Sequence, residues 1–289
     1  MRERLAECRV GIIGLGLMGG SLALALRDHC ASIAGHDVDP GTVAAAIERG
    51  MIDDDLFAAP GAIDVVILAA PVGAILDLIS HLPDRLPGFF HLLDLGSSKA
   101  RIVEAMRQLP DRVSPLGGHP MCGKETSGLD AAERDLFRDR VFALTPLDRT
   151  RPETLRIGRQ MVDAIGARMV MLDADRHDRI AAAISHLPYL TAVALMQAAA
   201  QAGDEGVWTL AASGFRDSTR LAASDVTMML DILASNRRAV LDALARVQVT
   251  LDQLRDLIEG GDMEGLRAML DENRSRRAGL FRSDSAQVS

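Results

Sequence analysis

Short apolar runs alternate with amphipathic stretches through the first half of the chain. Residues 9–13, 32–36, 65–69 and 91–94 read as strands, each brief and closed by glycine, proline or an acidic residue. Residues 19–28, 40–49 and 73–80 repeat apolar positions at helical spacing, and Asp39 ahead of Pro40 predicts an N-cap. Apolar strands alternating with helices predict a parallel sheet covered on both faces. The alternation continues less clearly, with strands expected at 141–144 and 168–172 around a helix at 153–165. From about Asp173 the pattern is helical throughout. Residues 179–201 form one alanine-rich apolar segment in which Pro188 predicts a kink or a break. Helices are expected from Ser224–Asp225 to about Ser235, over 237–259 and over 263–277, the last two separated by Gly260-Gly261-Asp262 as C-cap and N-cap; residues 283–289 read as a frayed polar end. The expected fold class is α/β: a doubly wound Rossmann-type sheet domain over 1–172, followed by an all-helical substrate and dimerisation domain over 173–289.

Composition narrows the function. Of 289 residues, 48% are hydrophobic and 25% charged, which excludes a disordered chain. A net charge of −8 argues against nucleic acid or an anionic membrane as a partner, and makes an anionic substrate depend on a local basic pocket. Residues 10–26 are free of charge, but glycines at 11, 14, 16, 19 and 20 fit a buried strand entering a turn better than a membrane span. Cys8, Cys30 and Cys122 have no framework spacing and read as free thiols of a reducing compartment; with the mixed charge of the first residues, this predicts a cytoplasmic protein.

Gly14-Leu15-Gly16-Leu17-Met18-Gly19 directly follows the first strand. In that position the first glycine permits the tight turn, the second lets a pyrophosphate approach the backbone, and the third lets helix and strand pack closely. Asp37, after the second strand, would bond the adenosine ribose and repel a 2′-phosphate, so NAD is expected over NADP. Ala70 and Pro71 end the third strand, where a backbone contact to the cofactor is expected. Asp94-Leu95-Gly96-Ser97-Ser98-Lys99 ends the fourth. Ser97 there is placed to donate to a substrate hydroxyl or to cap a helix, as is Ser98, and Lys99 to hold polar groups in place. The glycine-dense stretch from Gly117 to Gly128 reads as a loop that presents His119 as a general base, with Lys124 and Glu125 beside it. His186 and Tyr189 share a helical face at the Pro188 interruption, and Arg220 and Asp217 lie between helices, where Arg220 can clamp a carboxylate. Asp173, Asp175, His177 and Asp178 read as the acidic first turn of a helix rather than a metal site.

Taken in order, the glycine turn through Ser21-Leu22, Asp94–Lys99, His119-Pro120-Met121-Cys122-Gly123-Lys124-Glu125-Thr126-Ser127-Gly128, Ser185-His186-Leu187-Pro188 and Phe215-Arg216-Asp217-Ser218-Thr219-Arg220 resemble the prephenate/arogenate dehydrogenase family of tyrosine biosynthesis. The resemblance implies NAD(P)-dependent oxidative decarboxylation of a small cyclohexadienol by a homodimer built through the helical domain. It implies that His119 bonds the ring 4-hydroxyl and takes its proton, that Ser97 shares that hydroxyl, that Arg220 anchors a carboxylate and that His186 lies near the substrate. It leaves prephenate and arogenate as alternatives, since relatives often carry a second histidine at Tyr189 and a proline and a tryptophan at Val226 and Met229. Neither a chorismate mutase domain before it nor a regulatory ACT domain after it is expected. Of the two alternatives, a β-hydroxyacid dehydrogenase would call for a lysine on a C-terminal helix, and none follows Lys124, while a non-catalytic dinucleotide-sensing protein would keep the glycine turn but need neither His119 nor Arg220.

Overall fold

The computed structural model describes residues 2–58, 61–124 and 126–280. Among them, β1 (Arg9–Ile13), β2 (Ser32–His36), β3 (Asp54–Asp55), β4 (Val65–Leu68), β5 (Phe90–Asp94), β6 (Val113–Pro120), β7 (Val141–Thr145) and β8 (Arg168–Met171) build one sheet. Its spatial order is β3-β2-β1-β4-β5-β6-β7-β8. Every pairing is parallel except β6 with β7. The chain reverses direction across the sheet between β1 and β4, the switch point where such folds open a ligand crevice at the carboxyl ends of the strands.

Helices α1 (Leu17–Leu26), α2 (Pro40–Glu48), α3 (Val72–Arg85), α4 (Ala100–Arg107) and α5 (Pro152–Ala164) connect the strands. Leu22 and Leu26 of α1 and Ile157 and Met161 of α5 bury against one face, with Ile12, Ile33, Leu116 and Leu144. Ile75 and Ile79 of α3 and Ile102 and Met106 of α4 bury against the other, with Ile13, Leu68 and Leu92. Each such side chain contributes roughly 1.5–3 kcal/mol by leaving water. Asp39 caps α2 as its position predicts, accepting from Gly41 N at 3.0 Å and Thr42 N at 3.2 Å.

Three sequence expectations change. β6 and α4 have no counterpart among the expected elements, and the first part of the glycine-dense stretch is strand, not loop. Glycine and proline disfavour a strand locally, but β5 and β7 flank this segment and supply its ladder. Close packing needs the glycine: a Cβ on Gly118 would come within 2.6 Å of the Asp94 carbonyl oxygen. Pro188 does not break its helix. α6 (Ala174–Ala181) passes through a five-residue π turn, Ala182–His186, into α7 (Leu187–Ala200). Pro188 has no N–H to donate, and the widened turn just ahead of it absorbs the missing bond. Asp217 and its neighbours are themselves helical: α8 (Gly206–Leu210) and α9 (Ser213–Thr219) precede a turn at Arg220–Ala223, and α10 (Val226–Ser235) follows, capped by Asp225.

Packing gathers residues 1–240 into one compact unit and 241–289 into another. The second holds most of α11 (Arg237–Glu259) and all of α12 (Met263–Leu280). Between them Gly261 turns with φ 66° and Asp262 Oδ1 accepts from Gly265 N at 2.9 Å. α12 runs past the expected end at Arg277. The frayed end expected at 283–289 lies outside the described residues.

Candidate active site

The glycine turn is built by contact. Gly14 adopts φ 93°, and a Cβ on it would sit 2.4 Å from the Ala69 carbonyl oxygen. A Cβ on Gly19 would collide with Gly14 O at 1.8 Å, whereas one on Gly16 would meet nothing within 4 Å. Gly14 and Gly19 are therefore demanded by the fold, and Gly16 by whatever occupies the open space. α1 begins there with no side-chain cap, so its first N–H groups remain available to an anion. Asp37 closes the site from β2, its Oδ2 accepting from Leu15 N at 2.7 Å and its Oδ1 from Asp39 N at 3.1 Å. Ala70 and Pro71 lie between β4 and α3 on the same edge of the sheet. An open cradle at Gly16, an uncapped helix start and a carboxylate beyond it fit a dinucleotide. The turn from Gly14 through Leu15, Gly16, Leu17 and Met18 to Gly19 would hold its pyrophosphate and Asp37 its ribose.

The chemistry centres on the ends of β5 and β6. His119, half-buried, places Nδ1 2.8 Å from Nε2 of His177 on α6. His177 Nδ1 lies 2.9 Å from Asp178 Oδ1. Asp178 also accepts from the backbone N–H groups of Lys99, at 2.6 Å, and Ala100, at 2.9 Å. Because Asp178 is an acceptor, the His177 Nδ1 facing it donates. His177 Nε2 then accepts, His119 Nδ1 donates, and His119 Nε2 keeps its lone pair. This assignment of tautomers follows from the network of partners. Burial pushes His119 well below the ordinary histidine value, and repulsion from His177, Lys99 and His186 adds to it.

His186, 1% exposed, ends the π turn. Asn236 Nδ2 donates to the Asp178 carbonyl at 2.8 Å and lies 3.3 Å from His186 Nδ1. Burial lowers the pKa of His186 to about 4, with Asp178 opposing and His177 reinforcing the shift. Ser98 is buried and donates to Ser235 Oγ at 2.7 Å. Ser97 beside it keeps partial exposure. Neither serine caps α4; the Asp178 carboxylate does so from α6.

Other expected residues lie differently. Lys124 pairs with Glu133 at 2.7 Å and reaches the Ala131 carbonyl. Asp217 is largely exposed and pairs with Arg216 at 3.4 Å. Tyr189 is half-buried one turn beyond the π turn, and Arg220 is exposed at the start of the turn after α9. Glu125 lies outside the described residues. The sequence reading takes His177 and Asp178 only as part of an acidic helix start and does not single out Asn236. Asp173 does cap α6, accepting from Arg176 N at 2.8 Å, so the acidic-turn reading accounts for that residue and not for the pair after it. The available signal was an adjacent histidine and aspartate one turn into the helix.

The nucleotide-binding domain of prephenate dehydrogenase matches residues 22–171, and its dimerisation domain matches 173–272. The prephenate dehydrogenase of Bacillus subtilis is 33% identical over 282 residues, covering 93% of this chain and 75% of its own length. The prephenate dehydrogenase of A. aeolicus, solved with hydroxyphenyl propionate and NAD+, superposes with a TM-score of 0.88 at 28% identity, covering 96% of this chain and 99% of the other. Synechocystis arogenate dehydrogenase superposes with a TM-score of 0.82 at 31% identity, covering 94% and 99%. On its glycine turn, its histidine site and these matches through both domains, the chain belongs to the prephenate dehydrogenase family.

Proposed function

We propose that the protein oxidises and decarboxylates a cyclohexadienol, prephenate or arogenate, with NAD, yielding 4-hydroxyphenylpyruvate or tyrosine. The observation that carries this reading is the line Asp178–His177–His119, which ends on an imidazole nitrogen holding a lone pair.

His119 Nε2 accepts the proton of the ring 4-hydroxyl, and Ser97 bonds the same oxygen and fixes its direction. Bound NAD supplies the hydride acceptor. As the 4-hydroxyl gives up its proton, the hydride leaves the carbon that bears it. The electrons of the carbon–carboxylate bond then enter the ring, CO2 departs, the ring becomes aromatic and its oxygen, left as a phenolate, takes the proton back from His119. The chain's task is alignment and management of one proton. His177 receives a hydrogen bond from His119 Nδ1, and the Asp178 carboxylate behind it favours the positive charge that reaches the imidazole. Arg220 anchors a substrate carboxylate, with His186, Tyr189, Lys124, Glu125 and Asp217 assigned to the substrate's surroundings. Gly14 to Gly19, Asp37, Ala70, Pro71 and Ser97 are assigned to the cofactor. The carboxylate at Asp37 supports NAD over NADP.

We take the domain break at 172/173, a reading supported by the family matches over 22–171 and 173–272. The assembly is a cytoplasmic homodimer formed through the helical domain, and neither nucleic acid nor membrane is assigned as a partner. Purified protein supplied with NAD and either prephenate or arogenate is expected to generate NADH absorbance. Silence with both substrates overturns the reading, and a side-by-side kcat/KM comparison decides between them.

A further inference from the structure

Lys99 is wholly buried, and so is its partner Asp94. Removing an ammonium group from water is expensive, and exchanging a buried ion pair for apolar side chains is often neutral or stabilising, so stability alone is a weak reason to bury one. The bonds around this pair point elsewhere. Asp94, the last residue of β5, binds the Lys99 ammonium with Oδ2. The same oxygen accepts from Gly96 N at 2.8 Å, one residue before Ser97. Its Oδ1 accepts from Gly118 N at 3.2 Å, one residue before His119. The backbone N–H of Lys99 meanwhile donates to Asp178 Oδ1, the oxygen that faces His177. One buried pair thus ties together the backbone before Ser97, the backbone before His119 and the carboxylate behind His177.

We propose that the Lys99–Asp94 pair is a positioning element of the reaction, holding Ser97 and His119 in fixed register through the backbone that precedes each. The inference rests on the reading of His119 as the base. The pair touches neither substrate nor cofactor; it acts through the two residues that do. Among the described residues, His119 contacts His177 and, behind it, Asp178 on α6; His186 in the π turn and Lys99 before α4 act on it electrostatically, and the Asp94 carboxylate on β5 binds the backbone N–H just before it. Burial lowers the pKa of Lys99 and the Asp94 carboxylate opposes that shift; in its charged form Lys99 opposes protonation of His119. Removing that charge makes the imidazole easier to protonate, so the acid limb of the pH profile moves to higher pH.

The test compares wild type with Lys99→Met, with the charge-free pair Asp94→Asn/Lys99→Met, and with Lys99→Arg. NAD binding is followed by calorimetry, and kcat and kcat/KM are measured against pH. Both variants that lack the lysine are expected to bind NAD within about twofold of wild type. Their kcat falls by about 10-fold or more and substrate KM changes little, while the acid limb rises by about one pH unit in Lys99→Met, which removes the cation alone, and by less in the charge-free pair, where the opposing carboxylate goes too. Lys99→Arg keeps the charge and is expected to return the acid limb to its wild-type position. A variant lacking the lysine that binds NAD and keeps the wild-type kcat and acid limb overturns the proposal. Loss of NAD binding in both also overturns it, because the pair would then serve the fold and not the reaction. His119→Asn separates the two readings. An acid limb that survives this substitution refutes His119 as base; one that disappears there yet ignores Lys99 refutes only the positioning role.

Discussion

At the scale of single residues, the site is a set of donors and acceptors whose directions are forced. Asp178 is committed as an acceptor by two backbone N–H groups, and that commitment passes through the neutral His177 to leave a lone pair on His119 Nε2, the nitrogen proposed as the base. Substituting His119→Asn is expected to lower kcat by about 10² to 10⁴ with NAD affinity unchanged, and steady-state kinetics beside a binding titration check it. The pH dependence follows from the same surroundings. Burial holds the His119 pKa well below 6.5, so the ring stays uncharged and competent below neutrality. kcat/KM should therefore remain flat through the range where an ordinary histidine protonates, and fall only at lower pH. A profile already falling at 6.5 would show that the base is another group. At the cofactor end, Asp37→Ser removes the carboxylate that would oppose a 2′-phosphate. The expected outcome is a relaxed preference, read as the ratio of NADP to NAD dissociation constants.

At the scale of elements, the glycine turn offers a paired test of fold against site. Gly14→Ala forces a side chain into φ 93° against the Ala69 carbonyl, and is expected to lower Tm. Gly16→Ala places its methyl in open space, so Tm should hold while NAD binding weakens by about 10-fold or more, as differential scanning fluorimetry with calorimetry would show. The difference also shows what a sequence can disclose. The turn was legible because its rule is local: backbone angles and close approach require glycine at set spacing. β6 was not, because Val113-Ser114-Pro115-Leu116-Gly117-Gly118-His119-Pro120 contradicts strand propensity and is made a strand by its neighbours. The π turn was half legible. Pro188 announced an irregularity, but its form, a widened turn ending on buried His186, depends on what α7 packs against. His177 and Asp178 looked like a solvated helix start, and only the docking of α6 under the first turn of α4 gives them their role.

At the scale of the whole molecule, apolar surface is left uncovered. The helix spanning Ala174–Ala200 is long and apolar enough to cross a membrane by length and composition, yet only 22% of its most apolar window is buried. Ile184 is 60% exposed, Leu195 46% and Leu210 83%, all within the region matched by the dimerisation domain. Patches of this extent mark an interaction surface, and a second copy of the chain supplies a complementary one by symmetry. Sedimentation velocity at micromolar concentration is expected to give a dimer, and Leu195→Glu to shift it toward monomer. Association linked to folding also makes Tm rise with protein concentration in wild type, a dependence that Leu195→Glu should weaken. Acid adds a second signature. The pKa of His186 is near 4 when folded and about 6.5 when unfolded, so the unfolded chain binds the extra proton between those values. The stability that comes from keeping this ring uncharged and buried is complete above 6.5 and is lost as pH falls toward 4. Tm measured across that window should drop in wild type and drop less in His186→Asn. An equal slope in both would mean that other groups carry the acid sensitivity.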